Sequence, residues 1–441
     1  MRAPWKPACL VAVFMLSACQ GGTATAPGST SSATPPAATA SPAATAAATP
    51  EPTATPPPEH PIGVRVQDGA GEFYDRASGQ KFVPRGMNYV RLAPQTKQDG
   101  SIVVGHSTFD PGAYDASRVR SDLGLMHADG YNVVRVFLSP ETMGTLSGGL
   151  SSGYMDNVAD FLAATQESQI YVIFTYDWPP GGKYGSILSG GCCEEFNSFN
   201  ANILPAAGLE ANQVFYQDFI AGLIDRGAPT GQVFSWQLRN ELYFDSDQPP
   251  LSLKSGSVTT ANGKSYDMAS ATDRTAMLNE GLVYWIDQMR ASILEVDPTA
   301  LVSVGFFQPQ APNRTRVGDL RIAVTEPAIW QSSADFIDLH PYPGFELSLK
   351  QYVANFGIKG MAEKPIIMGE FGAMVGRYAS VSAAAKDLVA WQVASCSYGF
   401  DGWLFWTWDT SEQPDFFTAR QSSATIDKAL RPASRPDPCV K

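Results

Sequence analysis

Two glutamates in this chain stand at the ends of apolar runs. Glu241 closes Val-Phe-Ser-Trp-Gln-Leu-Arg-Asn-Glu at 233–241, and Glu370 closes Pro-Ile-Ile-Met-Gly-Glu at 365–370. Runs of this length and composition read as buried strands, and a carboxylate at the C-terminal end of such a strand lies where parallel α/β barrels keep their active sites. Two carboxyl groups facing each other across a glycosidic bond are the minimum machinery for hydrolysing it. A separation of about 5 to 5.5 Å retains the anomeric configuration and one of roughly 6.5 to 9.5 Å inverts it. The pattern points to Glu241 as acid/base, protonated at the start, and Glu370 as an ionised nucleophile. An inverting pair and a non-catalytic sugar-binding lipoprotein are the rival readings.

Other strand ends supply candidate supporting residues. Arg135 sits inside the apolar run Asn-Val-Val-Arg-Val-Phe at 132–137, and a buried guanidinium needs a carboxylate partner. The functional partner is Glu370, whose pKa Arg135 would lower; the plain alternative is a structural ion pair in the barrel wall. Asn240 places an amide beside Glu241, positioned for a sugar hydroxyl next to the reacting carbon. In Phe-Ile-Asp-Leu-His-Pro-Tyr-Pro at 336–343, Tyr342 is expected to hydrogen-bond the nucleophile and His340 a sugar or the acid, against an ordinary proline-rich turn. Among the tryptophans at 402–409 only Trp406 is assigned to the floor of a sugar site, with Trp178, after the third strand, as a second stacking candidate. Four histidines leave little room for a histidine-built metal site, so neither metal nor cofactor is expected.

These residues need elements to hold them. Eight β segments, starting at 84–89, 131–137, 170–175, 233–238, 301–306, 336–339, 365–368 and 402–405, are each followed by a helix or by enough chain for one. Leu278, Leu282, Ile286, Met289 and Ile293 recur at helical steps of four and three, and Pro298 ends that helix; a second helix is expected over 211–225. The pattern predicts an α/β fold, a (β/α)8 TIM barrel. Its entry is an N-terminal β-hairpin about the Ser78-Gly79 turn, placed to plug the barrel floor. A doubly wound open sheet would bring a glycine-rich phosphate turn after its first strand, and none is present. Lys264, Asp267 and the insert 245–272 are expected to wall the groove, together with the Cys192-Cys193-Glu194-Glu195 loop.

The 441 residues carry a net charge of -12, and 44% are hydrophobic, with 9 Trp, 16 Tyr and 23 Phe. That suits a large core and an aromatic groove, and the acidic balance argues against nucleic acid as a partner. A carbohydrate substrate and a monomer are expected. Arg2 and Lys6 precede a short apolar run that reaches Leu-Ser-Ala-Cys at 16–19, the layout of an export signal. From 21 to 60 the chain is Ala, Thr, Pro, Ser and Gly with nine prolines, a composition that buries no core and behaves as a spacer. The organisation read from this is signal 1–18, tether 19–60 and catalytic domain 61–441. Cys192, Cys193, Cys396 and Cys439 remain to oxidise outside the cytoplasm. Barrel geometry pairs Cys396 with Cys439 at the bottom and leaves Cys192 with Cys193.

Leu-Ser-Ala-Cys resembles the lipobox of bacterial lipoproteins, which implies lipidation of Cys19 and an extracytoplasmic, membrane-anchored protein. Arg135, Asn240-Glu241, His340-x-Tyr342, Glu370, Trp406 and the Gly86-x-Asn88 start, in this order and at these strand ends, resemble glycoside hydrolases of clan A, especially family 5, the cellulase family. The resemblance spans roughly 73–409. It implies that Glu241 is the acid/base and Glu370 the nucleophile, that Arg135 and Tyr342 position the nucleophile, that Asn240 and His340 contact substrate, and that Trp406 stacks beneath it. It also implies an endo-acting β-1,4-glucanase or β-mannanase, with an exo-acting β-glycosidase as the alternative. The chain departs from the family at the end of the third strand, where Phe174-Thr175-Tyr176-Asp177-Trp178 contains no histidine.

Overall fold

The computed structural model describes residues 59–96, 100–145, 148–191, 195–306, 320–323, 326–344, 347–358 and 363–440. The expectations for the signal, for Cys19, for most of the tether and for the Cys192–Cys193 pair lie outside them.

Eight parallel strands form the barrel, labelled here in chain order: β1 (Arg85–Asn88), β2 (Val133–Phe137), β3 (Tyr171–Thr175), β4 (Val233–Gln237), β5 (Val302–Ser303 and Gly305–Phe306), β6 (Ile337–Leu339), β7 (Ile366–Met374) and β8 (Phe400–Trp406). The two halves of β5 close the ring. Val302 pairs with Trp236 of β4, and after the break at Val304, Gly305 pairs with Asp338 of β6. β1 lies between β2 and β8. Its approach to β2 requires Gly86, because a Cβ there would stand 1.8 Å from the Val133 carbonyl oxygen.

A helix follows each strand: α1 (Ala116–Ala128), α2 (Ser152–Glu167), α3 (Ala206–Asp225), α4 (Ala271–Val296), α5 (Glu326–Gln331), α6 (Leu349–Asn355), α7 (Val381–Cys396) and α8 (Gln421–Leu430). In α4 the periodic residues Leu278, Leu282, Ile286, Met289 and Ile293 are all buried, and Ser270 caps the first turn by accepting from the Asp273 N–H. Strands enclosed by helices outside and side chains inside are buried on both faces, which is why they read as continuous apolar runs.

The entry is larger than a hairpin. Ile62–Gln67 joins Ala70–Asp75 and Lys81–Phe82 in a three-stranded sheet. Phe73, fully buried, packs against Phe234 and Phe336 at 5.2 and 5.1 Å in a floor cluster that takes one apolar side chain each from the β2, β3, β4, β7 and β8 strands, so the sheet plugs the barrel as expected. The fold also begins earlier than the predicted boundary. His60, assigned to the tether, is buried and hydrogen-bonds Asp297 and the Val233 carbonyl at 2.8 Å each. At the same end Cys396 and Cys439 form the predicted disulfide, with Cα atoms 5.7 Å apart.

Candidate active site

The C-terminal ends of the strands converge on Glu370. Arg135 of β2, fully buried, donates to its Oε1 at 2.6 Å, and the Tyr342 hydroxyl donates to its Oε2 at 2.7 Å. Arg135 has four further acceptor contacts. It reaches Asn88 Oδ1 at 3.0 Å, Gln237 Oε1 through Nε and Nη2 at 2.9 and 2.7 Å, and Asn240 Oδ1 at 2.8 Å. Gln237 passes the network on to Asp338 Oδ2 at 2.5 Å, whose other oxygen accepts from the Gly369 N–H at 2.7 Å. The glycine before Glu370 is fixed by this contact, since a Cβ there would meet the Asp338 oxygens at 2.0 and 2.2 Å. A guanidinium with every face occupied by acceptors and an anion is how a buried charge is tolerated.

Glu241 stands at the mouth. Its side chain is 31% exposed, against 4% for Glu370. Backbone bonds carry β4 past its ladder, from Asn240 N–H to Tyr176 O and from Leu242 N–H to Gly305 O at 2.8 and 2.9 Å, so Glu241 is held although its φ of 30° is one that side-chain-bearing residues rarely adopt. Strained backbone of this kind is concentrated at working sites. His340 lies between the two carboxylates, its Nδ1 3.2 Å from Glu241 Oε1 and 3.6 Å from Glu370 Oε1. Single ligating atoms of Glu241, His340 and Glu370 all fall within 4.8 Å of one another, so the two carboxyls approach closely. Such a trio has the donor types for a cation, but Arg135 and Tyr342 already serve both oxygens of Glu370, and the guanidinium supplies the positive charge there.

Burial is the largest influence on both carboxyls and pushes both upward. In Glu370 the opposing pull of His340 and Arg135 leaves it above the ordinary carboxylate value. In Glu241 the hydrogen bond and charge of His340, together with Arg321 and Arg135, exceed the effect of burial and hold it below. For His340, burial works against the charged form, yet Glu370 and Asp338 raise its pKa to about 10. A raised pKa makes His340 a cation between the two carboxyls, a neighbour of Glu241 that the apolar-run pattern did not show.

Trp406 ends β8 beside this cluster. It is edge-on to Phe137 at 5.7 Å, packs with Val90 and Tyr342, and donates to Gln413 Oε1 at 2.8 Å. Asn240 is present, with its amide shared between Arg135 and Asp177 Oδ1, the latter at 3.3 Å. Trp178 is half-buried and packs on Phe199 at 5.7 Å. Lys264 pairs with Glu280 of α4 at 2.9 Å, and Asp267 accepts from the Ala269 N–H while its own N–H donates to Asp273 of α4. Their sequence signal, polar residues in an insert, did not say which neighbour they would meet. Gln237 and Asp338 were missed although each interrupts an apolar strand, the same signal that exposed Arg135. Also missed was the hairpin Leu92–Thr96 with Ile102–His106, which stacks the His106 ring on Phe137 at 4.0 Å.

Fold and site together define a (β/α)8 barrel with a closely spaced carboxylate pair at the C-terminal face of its strands. No protein-family model matches the chain, and no curated protein matches it by sequence. Solved structures are similar in fold. One is an exo-beta-1,4-mannosidase from Opitutaceae bacterium strain TAV5, with a TM-score of 0.54 and 19% identity over 84% of this chain and 62% of that one, less than two thirds of its length. Another is a glycoside hydrolase family 5 mannosidase from Rhizomucor miehei, with a TM-score of 0.52 and 16% identity over 84% of this chain and 97% of that one.

Proposed function

We propose that this protein is a retaining β-glycoside hydrolase of the family 5 type. The reading rests on one observation: an oxygen of Glu241 and an oxygen of Glu370 lie within 4.8 Å of each other, a nearest approach on the side of the close carboxyl pair that retention needs. Glu370, oriented by Arg135 and Tyr342, attacks the anomeric carbon and forms a glycosyl ester. The leaving oxygen takes a proton from Glu241, which receives it across the 3.2 Å contact with His340 as bound sugar displaces water and further desolvates the carboxylate. Once the ester forms, the negative charge of Glu370 is gone, and Glu241 draws a proton from water as it attacks, releasing the sugar with retained configuration. Trp406 provides a ring face for the glycone.

Substrates are β-linked oligo- or polysaccharides. β-Mannosides are the first class to test, because both similar folds are named as mannosidases. The test is reducing-sugar release and the anomeric form of the first product, followed by NMR, on β-mannans, β-glucans and aryl β-glycosides, beside Glu370→Gln. Loss of all hydrolysis in the variant and retention of configuration support the reading; inversion or unchanged activity sinks it. The Leu-Ser-Ala-Cys stretch and the proline-rich segment behind it support a lipid-anchored enzyme working outside the cytoplasm. Incorporation of labelled palmitate that Cys19→Ser abolishes is the result expected, and incorporation that survives the substitution rules it out.

A further inference from the structure

The strand that carries Glu241 sets a second buried cation beside it. Arg239 is 3% exposed. Its guanidinium lies over the rings of Phe199 and Tyr243 at 4.4 and 5.3 Å, its Nε has no hydrogen-bond partner, and it makes no ion pair among the described residues. Nearby carboxylates are committed elsewhere. Asp177, which feels the field of Arg239, accepts from Asn240, and Asp245 accepts from the Ser198 hydroxyl and the Phe199 N–H at 2.5 and 3.3 Å. A second guanidinium, Arg321, lies over the same Tyr243 ring at 5.6 Å. It is held there because Asp245 and Arg321 are paired in a short antiparallel ladder, Tyr243–Asp245 with Arg321–Ala323, and it also exerts an attraction on Glu241.

Two guanidinium groups stacked on one ring, one of them buried without an anion, form an unfavourable arrangement for a folded protein to keep. Cation–π contact offsets only part of the loss. Asp177 and Asp245 also act on the Tyr243 ring, but neither forms an ion pair with Arg239 among the described residues. The planar fork of arginine matches carboxylate and sulfate oxygens two at a time. The location says which part of a substrate would bring them, an argument that rests on the proposed hydrolysis. Glu241 protonates the bridging oxygen, so the departing sugar lies on the side of Glu241, where Arg239 is two residues away and Arg321 is across the ladder.

We propose that Arg239, Arg321 and Tyr243 form a leaving-group subsite for an acidic sugar unit, one that carries a carboxylate or a sulfate. Tyr243 and Trp178 supply ring faces and the two arginines bind the anion.

The test compares kcat/KM of the full-length protein on disaccharides with one glycone and three leaving-group sugars: neutral, uronate and sulfated. The acidic ones are expected to be preferred by about 10- to 100-fold at low salt, the range of a hydrogen bond to a charged group, with the preference shrinking in high salt. Arg321→Gln and Arg239→Met should each collapse the acidic-to-neutral ratio toward one, chiefly through KM. Should the buried Arg239→Met fail to fold, Arg321→Gln, on the half-buried ladder, carries the test. Preference for only one of the two anions supports the subsite and identifies its ligand. Equal rates on all three sugars, or a preference that survives both substitutions, overturn it while leaving the hydrolase reading standing. Absence of hydrolysis on every sugar fails the hydrolase reading instead. Calorimetric binding of free uronate against its neutral methyl ester then still reads the subsite, and equal affinities overturn it.

Discussion

Arg135 donates to Glu370 at 2.6 Å from a position with no exposed side-chain surface. The pair is therefore structural, and under the proposed mechanism it also orients the nucleophile. Removing the guanidinium leaves Glu370 and Asp338 buried with His340 as their remaining counter-charge, a change of about 3–5 kcal/mol in stability. Arg135→Met is expected to lower the urea midpoint by that equivalent and to abolish turnover. A variant with an unchanged midpoint would show that the network does not depend on the charge.

Tyr342 makes a narrower contribution, one hydroxyl on Glu370 Oε2 at 2.7 Å. Tyr342→Phe keeps the ring, which packs with Phe416 at 5.8 Å, and removes only the donor. A hydrogen bond to a charged group is worth about 1.5–3 kcal/mol, so kcat should fall roughly 10- to 100-fold with little change in KM or melting temperature. Steady-state kinetics beside a thermal melt separates this from a packing defect, in which both would move.

Glu241 and Glu370 differ in what their loss should spare. Glu241→Ala removes the proton donor, and general acid catalysis is worth about 10²–10⁴-fold. The loss should appear in full on alkyl and sugar leaving groups and largely vanish on dinitrophenyl glycosides, whose leaving group needs no proton. Equal loss on both would move the acid to another residue. Glu370→Gln should be inactive on either.

The place of the two candidate glutamates was legible in the sequence because each breaks an apolar run at its C-terminal end. That pattern carries both an element and an orientation. The fifth strand was legible as one segment although it pairs in two halves around Val304, since hydrophobicity records burial and not the partner. What could not be read was whatever depends on a neighbour distant in sequence. Asp338 and Gly369 meet across the β6–β7 seam, His340 takes its charge from Glu370 and Asp338, and Lys264 finds Glu280 on α4. The Ile62–Gln67 strand was hidden for a different reason. Its exposed end, Val66 and Gln67, alternates too weakly to stand out from the spacer before it.

The charge on His340 gives the fold a pH dependence with a fixed sign. Its pKa is raised from an ordinary value of 6.5 to about 10 in the folded protein. The stabilisation is therefore fully present below about pH 6.5 and is lost as pH rises through 10. Its size is on the order of a few kcal/mol, given burial of the imidazole between carboxylates. Subtracting urea melts of His340→Gln from those of the parent protein at pH 6 and pH 10.5 isolates the term: the difference should be large at pH 6 and near zero at pH 10.5. A difference that is constant across this range would place the proton elsewhere.

At the opposite end of the barrel the Cys396–Cys439 bridge closes a loop of sequence separation 43. Constraining an unfolded chain by a loop of that length stabilises the native state by roughly 4 kcal/mol in the chain-entropy view. Native contacts already hold the tail: Arg435 donates to the carbonyls of Pro438 and Val440 at 3.0 and 2.7 Å, and Arg85 donates to the Arg435 carbonyl at 3.1 Å. The bridge therefore acts mainly on the unfolded chain and leaves the folded tail in place without it. Reduction, or Cys396→Ala with Cys439→Ala, should lower the denaturant midpoint while kcat on the preferred substrate stays within about twofold, because the bridge lies at the end of the strands away from Glu241 and Glu370. A large fall in kcat at full folding would mean that strain from the floor reaches the site through β8.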